Sequence, residues 1–160
     1  MNILKKINVF LCPKITLLTF WTLFWLLNGL DKFFNSPTFF GVTRDEKFIN
    51  YFASLALPAN LALFTLYTFA ILEVLLGLSF LHSLLNRRAP AILTKINFKL
   101  SMCLWIIFIS GDILFGDRLE LWEHSTFMVL SVVSLGLLLY TEDQDMEKEV
   151  DYRTEAIPQK

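Results

Sequence analysis

The sequence predicts an all-α fold: an integral membrane bundle of four helices, with an outer loop between helices 1 and 2 that has the makings of an amphipathic helix. Three observations carry this. Hydrophobic residues make up 55% of the 160 positions, and the mean hydropathy of +0.55 lies above the soluble range. The apolar residues gather into four long runs, and the charged residues collect between them. One run, 61–85, exceeds the roughly 20 residues that cross a hydrocarbon core about 30 Å thick, which argues against a soluble bundle of short helices.

The first helix is expected at about 15–33, the second at 61–85, the third at 100–116 and the fourth at 122–140. The apolar runs of the first, third and fourth are short by themselves. They reach spanning length by carrying flanking polar residues, among them Asp31, Lys32, Asp117, Glu123 and His124, into the interface or the bundle interior. Lys5-Lys6 before the first run would suit a secretory signal, but no small-x-small cleavage site follows, so a retained first helix is expected. The loop between helices 1 and 2 contains EKFINYFASLAL, whose amphipathic spacing suits a helix lying on the membrane surface or capping the bundle. Residues 1–141 thus form the transmembrane domain, and 142–160 an acidic tail.

Basic residues set the orientation. Lys5, Lys6, Lys14, Arg87, Arg88, Lys95, Lys99, Lys148, Arg153 and Lys160 fall on one side of the expected helices, and only Lys32, Arg44, Lys47 and Arg118 on the other. Both termini and the tail are therefore expected in the cytoplasm, in the inner membrane of a bacterium, with GDRLELWEH facing outward.

Several functions are excluded or disfavoured. A net charge of −1 gives no basic surface for nucleic acid. Cys12 and Cys103, expected near the cytoplasmic face and outside any C-x-x-C, do not make an outward-facing dithiol relay. His82 and His124 belong to opposite ends of their helices and cannot share one haem. No Gly-rich phosphate loop, catalytic triad order or H-E-x-x-H pattern is present.

Two places remain for polar chemistry. Glu73 lies near the midpoint of the second helix, in TLYTFAILEVLLGLSFL. A carboxylate at mid-bilayer costs a few kcal/mol (about 3) on insertion scales, so it must face the bundle, be neutral or have a partner. It serves either a proton or quinone head-group site, or a bond to a neighbouring helix. Ala70 and Gly77 share its face and permit close helix approach. At the outer end, Asn28, Asp31 and Lys32 of the first helix, Asp112 of the third, and Glu123 and His124 of the fourth converge on one depth and would line an outward pocket. Glu120 and His124, at i and i+4, would pair or supply metal ligands. Their spacing matches no recognised metal motif, and no metal is assigned. Equally, these residues suit a charged helix start with Trp122 as interfacial anchor.

WLLNGLDKFF, YFASLALP and ILEVLLGLSFL together resemble the DoxX and MauE-like superfamily of small four-helix membrane proteins, through Gly29, Lys32 and Phe33, then Pro58, Glu73 and Gly77. The likeness covers about residues 15–85, and the second half by helix count. It implies a four-helix bundle whose members include small subunits of quinone-reducing oxidoreductases, companions of redox-enzyme maturation and membrane-protein chaperones. The chain departs from the maturation branch in lacking paired thiols. The leading expectation is an accessory or assembly subunit, not itself an enzyme, of a larger membrane complex of electron transport. The alternative is a quinone-binding redox protein using Glu73, Asp112 and His124. A transporter is less favoured, because the halves show no broken-helix signature.

Overall fold

The computed structural model describes residues 13–34, 44–86 and 91–155, with side chains described up to residue 144. Cys12, Lys5, Lys6, Arg87, Arg88, Lys160 and residues 35–43 of the loop after the first helix lie outside the described residues. Within them the chain is wholly helical: α1 (Pro13–Phe34), α2 (Arg44–Ser54), α3 (Ala59–Leu85), α4 (Ala91–Phe115) and α5 (Arg118–Glu155).

Three helices are long and apolar enough to cross a membrane: α3 and α4 over their full 27 and 25 residues, and Arg118–Gln144 of α5. They mark a membrane protein. α1 is not among these three, because Trp21, Trp25, Asn28, Asp31 and Lys32 dilute its aliphatic residues. Leucine, isoleucine and valine side chains such as Leu23, Leu75, Ile106 and Val129 are exposed, whereas Glu73, Asn97, Ser101, Asp112 and Ser131 are buried. Polar inside and apolar outside is the arrangement lipid favours.

α1 and α3 pack antiparallel and very closely, because Gly29 lies against the backbone of Val74 and Ala70 and Gly77 against that of Leu26. α4 pairs with α5. The core between the two pairs is aromatic. Trp25 meets Trp105 with ring centroids 4.7 Å apart, Phe24 meets Phe127 at 4.5 Å, and Phe98 contacts both Trp21 and Phe80. Two buried indoles donate to serines one turn apart on α5: Trp21 Nε1 to Ser134 Oγ and Trp105 Nε1 to Ser131 Oγ, each at 3.0 Å. Aromatic rings thus contribute area and also fix the rotation of α5.

Several boundaries differ from the sequence reading. The third helix begins at Ala91, not near residue 100. The polar residues that suggested a loop have partners on the helix: Asn97 accepts from Ser79 Oγ at 2.8 Å, and Lys95 pairs with Glu142 at 2.8 Å. Consequently Cys103, expected near the helix start, sits at mid-helix and is exposed. The fourth helix begins at Arg118, not 122. Gly116 takes φ +75°, the Asp117 N–H bonds the Asp112 carbonyl at 2.9 Å, and Asp117 Oδ1 then caps α5 by accepting from Leu119 and Glu120 N–H, each at 3.1 Å. The same helix continues to Glu155, through much of the acidic tail. In the loop, the amphipathic stretch forms α2, which caps the bundle by packing on α3 and bonding to α1 and α5.

Candidate functional site

Connectivity brings the end of α1, the starts of α3 and α5 and the end of α4 to one end of the bundle, beneath α2. With α4 starting at Ala91, Asp112 lies about 30 Å along it, in its last turn. A cavity of about 250 Å³ opens there. Phe24, Trp25, Trp105, Phe108 and Phe127 form its aromatic wall, and Asn28, Lys32, Arg44, Glu73, Glu120, Glu123 and His124 supply polar groups. Of the outer residues expected to converge, Asn28, Lys32, Glu123 and His124 line this cavity, with Glu120. Asp31 and Asp112 are buried and bond to the lining residues Arg44 and His124.

Glu73, expected as a separate mid-membrane site, belongs to this same cavity. Lys32 Nζ lies 2.6 Å from Glu73 Oε2, with side-chain exposures of 9% and 2%, and donates as well to the Asn28 carbonyl at 3.2 Å. Asp31 accepts from Arg44 Nε at 3.1 Å. That bond draws the first residue of α2 onto α1.

His124 does not pair with Glu120 as the i, i+4 spacing suggested. Its Nδ1 lies 2.6 Å from Asp112 Oδ2, and its ring packs between Trp105 and Phe108, with centroids 5.6 and 5.2 Å away. A buried carboxylate on one imidazole nitrogen fixes the ring and leaves the other nitrogen for a ligand. Glu120 instead bonds Lys47 of α2, which also reaches Asp117 at 2.9 Å.

The cap is tied down at that point by Lys47, Tyr51 and Asp117. Tyr51 donates to Asp117 and stacks on Phe115 at 4.9 Å. That phenol's hydrogen bond, helped by the Glu120 N–H and by Lys47, holds Asp117 well below the usual carboxylate range. Partial burial opposes the charge of Lys47, yet its bonds to Glu120, Tyr51 and Asp117 outweigh it and raise the ammonium above its ordinary value. Burial and the bond to Asp117 push the Tyr51 phenol up to about 12.

A pH dependence follows. The Tyr51 pKa is higher folded than unfolded, so its stabilising effect is complete below the ordinary tyrosine value near pH 10. It is lost as pH rises from there to about 12. Alkaline titration followed by phenolate absorbance is expected to show a late component at about pH 12 that Tyr51→Phe removes. A wild-type-like curve in that variant would refute the assignment.

The wall residues Phe24, Trp25, Trp105, Phe108 and Phe127, and the cap residues Arg44 and Lys47, escaped the sequence reading. The aromatics fall within apolar runs at ordinary helical spacing and look like any core residue. The basic pair on RDEKFINYFAS was the available signal: Arg44 and Lys47 lie one turn apart on an amphipathic helix facing an acidic cluster. Comparison with protein-family models, curated proteins and solved structures finds no match to this chain.

Proposed function

We propose that this protein is a four-helix membrane subunit that binds the head group of a quinone and serves within a larger electron-transfer complex. The observation that carries this reading is the joining of an aromatic wall to Lys32, Glu73 and the Asp112–His124 dyad around one cavity of about 250 Å³, a size suited to a single-ring head group. Aromatic faces stack on a planar ring, and Lys32 and, as the imidazolium, His124 offer N–H donors for its carbonyl oxygens. Reduction of a quinone to a quinol takes up two electrons and two protons. In this proposal the electrons come from a redox centre of the partner complex, and Glu73 and His124 pass the protons.

The remaining expectations follow as parts of the same proposal. α1 is the fourth span, and its likeness to DoxX-like first helices in WLLNGLDKFF supports that. Ten of the fourteen basic residues on the side of the termini support cytoplasmic ends in a bacterial inner membrane. The continuation of α5 to Glu155, beyond its apolar part, offers a rod for a partner's water-exposed domain.

The test uses the full chain in lipid nanodiscs, titrated with decylubiquinone and followed by tryptophan fluorescence, since Trp25 and Trp105 form part of the wall. Saturable quenching is expected. His124→Ala and Glu73→Gln are each expected to weaken it about tenfold, the equivalent of about 1.4 kcal/mol for one lost hydrogen bond. Linear, unsaturable quenching, or unchanged saturation in both variants, would sink the proposal.

A further inference from the structure

We infer that Asp112, Glu120 and His124 form a binding site for a divalent first-row transition-metal ion at the rim of the cavity. Each offers one ligand atom, and these atoms all lie within 4.8 Å of one another. Metal–oxygen and metal–nitrogen bonds of about 2.0–2.2 Å put neighbouring ligand atoms about 3 Å apart and opposite ones about 4 Å apart. Small side-chain movements therefore complete the triad. The imidazole and carboxylate already face each other at 2.6 Å, sharing the place an ion would take.

Rigid elements supply the three groups. Asp112 is buried in the last turn of α4, and Glu120 and His124 stand one turn apart on α5. Asp117, the cap of α5, fixes the first turn of that helix. Trp105 and Phe108 hold the His124 ring. Two carboxylates with one imidazole suit manganese, iron(II), cobalt or zinc better than calcium, which takes oxygen ligands only. Because Glu120 and His124 line the cavity, open coordination positions would face a bound molecule.

The charge balance points the same way, independently of the spacing. Around the cavity, Asp31, Glu73, Asp112, Asp117, Glu120 and Glu123 outnumber Lys32, Arg44 and Lys47. Lys32 pairs with Glu73 and Arg44 with Asp31, while Lys47 alone serves both Asp117 and Glu120. The surplus of carboxylate thus gathers on the α4–α5 side, at the triad, where a dication balances it. Lys47 is the ion's competitor: metal entry takes Glu120 from it and leaves it Asp117.

This inference does not rest on quinone binding, and its readout needs no quinone. Untagged full-length protein in nanodiscs is titrated with Co²⁺, whose visible absorption reports coordination by protein ligands, and then with Zn²⁺ as competitor. One saturable Co²⁺ site is expected. Asp112→Asn, Glu120→Gln and His124→Ala are each expected to weaken it at least tenfold, and Lys47→Met to tighten it. His82→Ala, which removes the exposed histidine at the other end of the bundle, is expected to leave it unchanged. Absence of the Co²⁺ band in the wild type overturns the site. So does a wild-type titration in His124→Ala or Glu120→Gln, or loss of the band in His82→Ala. The two α5 variants keep the test decisive if Asp112→Asn fails to fold.

Discussion

Replacing Lys32 with methionine is expected to destabilise the bundle by about 3–5 kcal/mol, the usual cost of removing one partner from a buried ion pair. Glu73 is then left with a carboxylate that is 2% exposed, deep in the cavity at mid-helix on α3, with no cation in place of Lys32. The reciprocal change, Glu73→Met, is expected to cost less. Lys32 lies in the last turn of α1 and has the Asn28 carbonyl as a second acceptor at 3.2 Å; its long stem lets the ammonium turn toward the helix end. The double variant Lys32→Met/Glu73→Met is expected to recover most of the loss, since two apolar side chains of similar volume replace the pair and neither leaves a charge behind.

Unfolding by SDS from a mild detergent, followed by tryptophan fluorescence, measures all three variants. A double variant no more stable than Lys32→Met would show that the two residues act separately. Recovery of stability together with loss of decylubiquinone quenching would separate the structural role of the pair from its role in the cavity: the fold tolerates its removal and the ligand does not.

The helices were legible in the sequence because apolar length is a property of one segment at a time. Their partners were not. Glu73 announced that it needed a neighbour, but Lys32 lies 41 positions away, and the rotation and register of α1 against α3 decide which residue meets it. The i, i+4 rule put Glu120 beside His124, whereas the structure gives each a stronger partner from another element, Lys47 and Asp112. Boundaries failed for a related reason. Asn97 and Lys95 look like loop residues until Ser79 and Glu142 are seen to satisfy them. Asp117 and Glu120 carry the D-x-x-E pattern of a helix start, a local signal that placed α5 four residues earlier than its apolar run did. From Leu137 to Ile157 neither glycine nor proline interrupts the chain, so nothing local stops α5 where its apolar part ends.

Glycine replacement on the α1–α3 seam is the second large effect, and it runs against helix propensity. Alanine in place of glycine within a helix ordinarily stabilises by about 1 kcal/mol. At Gly29 the added Cβ would stand 2.8 Å from the Val74 nitrogen and 2.9 Å from the Ala70 carbonyl oxygen; at Gly77 it would stand 2.7 Å from the Leu26 nitrogen. These neighbours are backbone atoms, so no rotamer change relieves the clash and the two helices must part. Gly29→Ala and Gly77→Ala are therefore each expected to destabilise by about 2–3 kcal/mol, the upper range for overpacking. Gly136→Ala, where a Cβ meets nothing within 4 Å, is expected to be neutral or to gain up to about 1 kcal/mol. The same seam holds Lys32 against Glu73, so parting the helices lengthens the 2.6 Å ion pair. Gly77→Ala combined with Lys32→Met/Glu73→Met is expected to cost less than the two changes added together, because the pair whose stretching forms part of the glycine's cost is already gone. Strict additivity in SDS unfolding would place the clash and the ion pair on independent footings, and would mean that the α1–α3 seam yields locally without moving the cavity.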